Sequence, residues 1–330
     1  MLIKSFLRRW GTLGASLATA ATLGTAAFAT QAATDYPERP VKVIVGYSPG
    51  GSNDVVARLL AKQLQENMGE SFVVENRPSM AAIVGSQITA RAEPDGYTLM
   101  IAASGPIVIN PAVYKDLSYD PQNDFEPISM VANFPLIVSV PKDAPVQTIE
   151  ELIQFTQDNP EEAFYSSSSS AFQLATELLK KHTGLEAEHI PYKGSNESML
   201  AVASNDVTFS MLDPGPAAGA INGDLIRGVA VTGNERMDAF PDIPTLKEHD
   251  IDVEIGFWIG LFAPAGTPQE IIDLLEKEVA KAVEVDEVAQ GMLNLGLIPT
   301  TNTSEEFRAL IAEEIQGWTD LAIENDIQVE

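Results

Sequence analysis

The strongest constraint in this chain is a recurring order: a short apolar run, a break rich in small residues, then apolar residues at helical spacing. Residues 41–47 are almost continuously apolar, the pattern of a strand buried on both faces. Gly50-Gly51-Ser52-Asn53-Asp54 interrupts them, and Val55, Val56, Leu59, Leu60, Leu64 and Met68 follow at helical intervals until Gly69. Residues 72–75 predict a second strand, 81–92 a short helix and 97–103 a third strand. The pattern then restarts. Strands are expected at 127–132, 136–140, 163–166, 187–191, 207–212 and 226–232, with helices at 171–182 and 195–203. Thr148-Ile149-Glu150-Glu151 is a capping box that opens a helix ending before Pro160. A strand at 257–263 follows. Thr267-Pro268-Gln269-Glu270 combines a capping box with proline at the first helical position, and a long helix starts near Ser304. Such alternation predicts an α/β protein whose sheets are mostly parallel and flanked by helices. Two similar units, one inserted into the other, place domain I at 34–132 plus 233–330 and domain II at 133–232, with a cleft between them.

Before these units, residues 1–10 carry Lys4, Arg8 and Arg9 and no acid, and residues 11–27 are uncharged. Ala27-Phe28-Ala29 is an A-x-A exit, with Thr30-Gln31-Ala32 a second candidate. A basic start, an apolar middle and a small-residue exit make residues 1–29 a secretory signal peptide cleaved near Ala29 or Ala32. A membrane anchor is the competing reading, but it needs roughly 20 strongly apolar residues. The mature chain is expected to be soluble and exported.

Charge narrows the possible partners. Lys plus Arg number 20 and Asp plus Glu 47, so the formal charge is 20 − 47 = −27, and 17 − 47 = −30 after cleavage. That excess repels phosphate backbones and excludes nucleic acid as a partner. With no cysteine there is no disulfide, thiolate metal site or cysteine nucleophile, and three dispersed histidines leave little for a metal. No cofactor and no metal are expected, and the mature protein is expected to be a monomer.

In open α/β sheets, ligands sit beyond the carboxyl ends of strands. The first such loop, Gly46-Tyr47-Ser48-Pro49-Gly50, matches the G-x-S-x-G elbow of serine hydrolases. A secreted esterase using Ser48 is therefore one reading. Against it, the oxyanion hole needs the N–H of the residue after the nucleophile, and Pro49 has none. The other reading is binding: glycines let the backbone approach a ligand, and the following helix offers free N–H groups to an anion. Asp54 would be costly beside an anion, and capping and stiffening of the turn suits it better. A plain tight turn at Gly50-Gly51 fits the loop equally well. The serine run 166–170 reads either as a linker or as a second anion-binding helix start. Ser104 marks a third loop. Tyr192 and Lys193 put an aromatic ring and a cation at a strand end, although a solvated lysine is the commoner case, and His189 fits a strand position.

At these residues the chain resembles the tripartite tricarboxylate transporter receptors, the Bug family of periplasmic solute-binding proteins. The likeness runs from about Tyr36 to the C-terminus. It is carried by Tyr36-Pro37-Glu38-Arg39-Pro40-Val41, Ser48-Pro49-Gly50-Gly51-Ser52-Asn53-Asp54, Glu75-Asn76-Arg77-Pro78 and Pro94-Asp95-Gly96-Tyr97-Thr98-Leu99. Asp124-Phe125-Glu126-Pro127-Ile128, Pro191-Tyr192-Lys193-Gly194, Pro241-Asp242-Ile243-Pro244-Thr245 and the stretch 258–268 continue it in order. The resemblance implies a two-domain, type II Venus-flytrap fold without catalytic activity. Such a receptor captures a small carboxylate and hands it to a membrane permease; presenting its closed form to a membrane sensor is the alternative. It implies a carboxylate held by Tyr47, Pro49, Gly50, Gly51, Ser52 and Asp54, and across the cleft by Ser167, Ser168, Ser169, Ser170 and Ala171. Tyr192, Lys193 and Asp213 would be wall positions. Three departures stand out: Ser79-Met80-Ala81-Ala82 where the family usually has glycines, Ser168, Ser170 and Gln173 where it usually has glycines and a histidine, and Gly46 in place of a common proline.

Overall fold

The computed structural model describes residues 36–324. The expected signal peptide and its cleavage sites lie outside the described residues. In chain order the strands are β1 (Val41–Val45), β2 (Phe72–Asn76), β3 (Thr98–Ala103), β4 (Phe125–Pro135), β5 (Ile137–Pro141), β6 (Phe164–Ser167), β7 (Glu188–Pro191), β8 (Phe209–Leu212), β9 (Ile226–Val231), β10 (Gly256–Pro264) and β11 (Ile298–Pro299). The helices are α1 (Ser52–Met68), α2 (Ile83–Ala90), α3 (Asn110–Val113), α4 (Ile149–Asp158), α5 (Ser170–Thr183), α6 (Ser195–Ala203), α7 (Pro214–Asn222), α8 (Gln269–Val283), α9 (Asp286–Leu293) and α10 (Ser304–Glu324).

Two sheets result. One has the order β11-β4-β10-β3-β1-β2, the other β7-β6-β8-β5-β9. The expectation of mostly parallel sheets needs refinement, because both are mixed. β1 runs parallel to β2 and β3, and β6 parallel to β7 and β8, while β10 is antiparallel to β3 and β4, and β5 to β8 and β9. The cause is the junction between the lobes. β4 leaves the first sheet where β10 returns, Pro135 opposite Gly256, and β5 enters the second where β9 leaves, Ile137 opposite Val231. Outgoing and incoming strands across one junction must oppose each other. Thr232 fastens both crossings: its hydroxyl accepts from Leu136 N–H at 2.9 Å and donates to Ile255 C=O at 2.6 Å, and its own N–H donates to Leu136 C=O at 3.0 Å.

Local signals set most elements. On α1, Val56, Leu60 and Leu64 are buried one turn apart, each such side chain contributing about 1.5–3 kcal/mol. Gly69 and Gly184 end α1 and α5 in the left-handed conformation, φ 84° and 71°, where a glycine carries no Cβ penalty. The α4 box forms: Glu151 N–H donates to Thr148 Oγ1 at 3.3 Å, while the Glu151 carboxylate reaches Gln147 N–H at 2.6 Å. The expected box at α8 does not. Pro268 is the cap there without a side-chain bond, and the Thr267 hydroxyl donates backward to Pro264 C=O at 2.7 Å. Sequence spacing gives no helix at α3, α7 or α9, although α7 carries a signal in Asp213-Pro214, a capping residue before proline at the first helical position. No helix among the described residues is long and apolar enough to cross a membrane.

The stretch before α2 carries backbone strain. Ala81 and Ala82 sit at φ 50° and 57°, in the left-handed region that costs a Cβ-bearing residue roughly 1–2 kcal/mol. A glycine-rich stretch adopts that backbone freely; here tertiary contacts hold it. Asn110, fully buried, donates its Nδ2 to Ala81 C=O at 2.9 Å. A Cβ on Gly46 would fall 2.6 Å from the Ala82 Cβ, so glycine is required where β1 meets this turn. Ala81→Gly is expected to stabilise the protein by about 0.5–1 kcal/mol, read as a higher urea midpoint, because relief of strain exceeds the loss of one methyl. An unchanged or lower midpoint would mean that the turn is unstrained.

Candidate functional site

Four helices begin at one place. The starts of α1, α5, α6 and α7 face a cleft between the two sheets, with about 540 Å³ of empty space including its mouth. Its lining takes Tyr47, Ser48, Gly51, Ser52 and Asn53 from the first loop, and Ala103, Ser104 and Gly105 from the end of β3. Across from these lie Ser168, Ser169, Ala171 and Phe172 at the α5 start, Gly194, Ser195 and Asn196 at the α6 start, and Asp213. Phe134 and Phe257 close it at the junction. Among the described residues, no Lys, Arg or His lines it.

A helix start carries unpaired N–H groups and roughly half a positive charge. The caps of α1 and α6, Gly51 and Gly194, make no side-chain bond to those groups, and neither does Asp213 at α7. Ser169 caps α5 by accepting from Phe172 N–H at 3.3 Å. Each end with free N–H groups favours an anion by about 0.3–1 kcal/mol, so α1, α5 and α6 together amount to about 1–3 kcal/mol without a cationic side chain. The α7 start offers none, because Pro214 and Pro216 lack an N–H and that of Gly215 goes to Ser52 Oγ.

The sequence-derived site residues divide into two groups. Tyr47, Gly51, Ser52, Ser104, Ser168, Ser169, Ala171 and Asp213 line the cleft. Pro49, Gly50, Asp54, Ser167, Ser170, Tyr192 and Lys193 do not, and most of them brace it. Pro49 and Gly50 are exposed at the rim, where Pro49 C=O accepts from Asn196 Nδ2 at 3.3 Å across the cleft. Asp54 is buried beneath the loop and accepts from Gly50 N–H at 2.9 Å, Asn76 Nδ2 at 2.8 Å and Arg58 Nε at 3.0 Å. Burial raises its carboxyl, but these donors outweigh that and hold it below the usual carboxylate range. It stiffens the turn, as expected from its sequence position. The Ser170 hydroxyl donates to Asn110 Oδ1 at 2.8 Å in the opposite lobe. Ser167 contacts His189 Nε2 at 2.7 Å, and that ring stacks on Tyr165 with centroids 4.9 Å apart. Burial keeps His189 below its ordinary pKa. Tyr192 packs on the second lobe's core and its N–H donates to Ser167 C=O, while Lys193 is exposed.

The serine run is no linker. Ser166 lies in β6, where the Ser198 hydroxyl donates to Ser166 Oγ at 2.7 Å and the Ser210 hydroxyl to Ser166 C=O at 2.8 Å, all three residues being buried.

Sequence reasoning missed Ser195 and Asn196, although a signal was present: Gly-Ser-Asn occurs at both 51–53 and 194–196, each time at a helix start. It also missed Phe134, Phe172 and Phe257, which only the folded junction brings together.

The lobes touch through polar contacts. The Ser52 hydroxyl donates to Asp213 Oδ2 at 2.5 Å and accepts from Gly215 N–H at 3.2 Å. Burial pushes the Asp213 carboxyl up, against the opposing pull of the Ser195 and Ser52 hydroxyls and nearby backbone N–H groups. Burial likewise keeps the Tyr47 phenol protonated. The three histidines are engaged elsewhere, His182 with Leu178 C=O, His189 with Ser167 and His249 with Glu150, so none serves Ser48 as a base.

Residues 56–326 match the family model described as the tripartite tricarboxylate transporter family receptor. Protein BugT of Bordetella pertussis is 31% identical over 301 residues, covering 90% of this chain and 92% of BugT. An R. palustris protein solved with adipate is 32% identical with a TM-score of 0.86, covering 89% of this chain and 99% of that one. MatC from Rhodopseudomonas palustris, solved with bound malate, is 25% identical with a TM-score of 0.82, covering 87% and 99%.

The contact at Gly215 sets a test of closure. A Cβ there would lie 2.4 Å from Ser52 Oγ and 3.3 Å from Ser52 Cα, so a methyl group must displace the Ser52 hydroxyl and move its backbone back slightly, which loosens the contact between the lobes. Gly215→Ala is expected to enlarge the radius of gyration in X-ray scattering and to weaken cleft ligands about tenfold, about 1.4 kcal/mol, with circular dichroism unchanged. Wild-type dimensions and affinity would show that the contact does not govern closure.

Proposed function

The chain belongs to the tripartite tricarboxylate transporter receptor family, and on that premise we propose that it captures a small organic carboxylate in the periplasm and delivers it to a membrane permease of that system. Proteins of this family are solute-binding receptors rather than enzymes, and the esterase reading of Ser48 falls with that. The observation that carries the proposal is the meeting of three helix starts with free N–H groups, those of α1, α5 and α6, in a cleft that no cationic side chain lines among the described residues. Backbone N–H groups suit a carboxylate there, because they are fixed in direction and need no desolvated counter-charge. Relatives solved with adipate and malate support the same ligand class.

In this reading the lobes are 34–132 with 233–330, and 133–232. Gly51 and Ser52 hold one carboxylate group from the first lobe, and Ser168, Ser169 and Ala171 meet it from the second. Pro49, Gly50 and Asp54 shape the first loop from behind, and Tyr47 closes one wall. A ligand that bridges the lobes stabilises the closed form by its contacts to both, and the closed form is what the permease receives.

A thermal-shift screen of aliphatic and aromatic acids tests the assignment. A bound acid at a hundredfold excess over its Kd adds about 2.7 kcal/mol and raises the melting temperature, whereas the matching amide leaves it unchanged. Equal shifts by acid and amide, or no shift with any acid, would rule the carboxylate reading out.

A further inference from the structure

Carboxylate capture leaves a set of buried polar atoms unexplained. Asp213 is only 3% exposed, and while its Oδ2 accepts from Ser52, its Oδ1 has no hydrogen-bond partner. Asn53 Oδ1 and Ser104 Oγ line the same cavity and are also unpaired. So is Glu197 Oε2, which lies 2.6 Å from the position a Cβ on Gly194 would take, beside the cleft wall. Only one other buried side-chain atom among the described residues lacks a partner, His249 Nε2, which belongs to a residue outside the cleft lining. Unsatisfied buried polar atoms are rare in native proteins and costly where they occur. Three of the four belong to residues lining one cavity with the fourth beside it, and Asn53 Oδ1, Asp213 Oδ1 and Glu197 Oε2 are acceptors.

A ligand that offers nothing but carboxylate oxygens leaves those acceptors unpaired. A ligand that also bears O–H or N–H groups pairs them. We infer that the acid held by this receptor carries a hydrogen-bond donor of its own, an alcohol or an ammonium group, and that Asp213 selects for it. This rests on the carboxylate reading and narrows it. The starts of α1, α5 and α6 attract the carboxylate, and the acceptor wall decides what the rest of the molecule must be.

The test uses matched acids on three carbon skeletons: propionate with lactate and alanine, succinate with malate and aspartate, glutarate with 2-hydroxyglutarate and glutamate. Calorimetric titration of the mature protein is expected to give, on the skeleton that fits, at least tenfold tighter binding for a donor-bearing acid than for its donor-free parent. Asp213→Ala should bring that ratio to within about threefold. Asp213→Asn separates the two donors: it keeps an acceptor and preserves preference for a hydroxyl, but removes the charge and abolishes preference for an ammonium group. Circular dichroism and melting of each variant check folding, and the wild-type series stands even if a variant fails to fold. Parents that bind as tightly as their donor-bearing partners, or a ratio that Asp213→Ala leaves intact, would overturn the inference while sparing the carboxylate reading. If no acid on any skeleton binds while an amide does, both readings fall together.

Discussion

Main-chain N–H groups at three helix starts, those of α1, α5 and α6, converge on one cleft, and the proposed site depends on that convergence. They cannot be screened by rotating away, they carry no net charge that must be desolvated, and they point along fixed axes. Everything else in the fold serves to bring them together. The parallel strands β1, β3, β6 and β8 each end at the cleft, and α1, α5 and α7 begin within a few residues of β1, β6 and β8. A cationic side chain would attract an anion more strongly at long range. It would also have to be stripped of water on closure, and the cleft is lined without one.

Closure depends on polar contacts that are individually modest. Ser52 with Asp213 and Gly215, Asn196 with Pro49, and Ser170 with Asn110 join the lobes around the cleft through hydrogen bonds. Net hydrogen-bond contributions near 0.5–1.5 kcal/mol leave such a set able to open and close. The stiffer element is the junction, where fully buried Thr232 ties Leu136 to Ile255 and fixes the axis about which the lobes can turn. Phe134 and Phe257 lie against each other at the junction and also line the cleft, so the junction and the proposed binding site share a wall.

Legibility in the sequence followed the range of the interactions concerned. The α1 stripe of Val56, Leu60 and Leu64, the glycine ends of α1 and α5, and the Thr148 cap depend on neighbours within a turn of helix, and they could be read directly. The α8 cap misled because Thr267 found a competing acceptor three residues back, at Pro264. Loop residues were recognised as a group, but not which of them face the cavity. Asp54 and Ser167 have the chemistry of ligand contacts and instead spend their hydrogen bonds on Gly50 N–H and His189. Mixed sheets were missed for a related reason, since strand direction depends on where the chain crosses between lobes.

The sequence by itself determined the alternation of strands and helices, the small-residue helix starts and the scarcity of positive charge, because each is written in local spacing or composition. Only the tertiary structure decided that Asp213 would meet Ser52 across 161 positions of chain, that one of its oxygens would be left without a partner, and that two phenylalanines from the crossings would close the cavity. Those outcomes arise from how two lobes seat against each other. Apolar periodicity specifies each lobe's own core, but polar groups at a shared boundary acquire their partners only when both surfaces are in place.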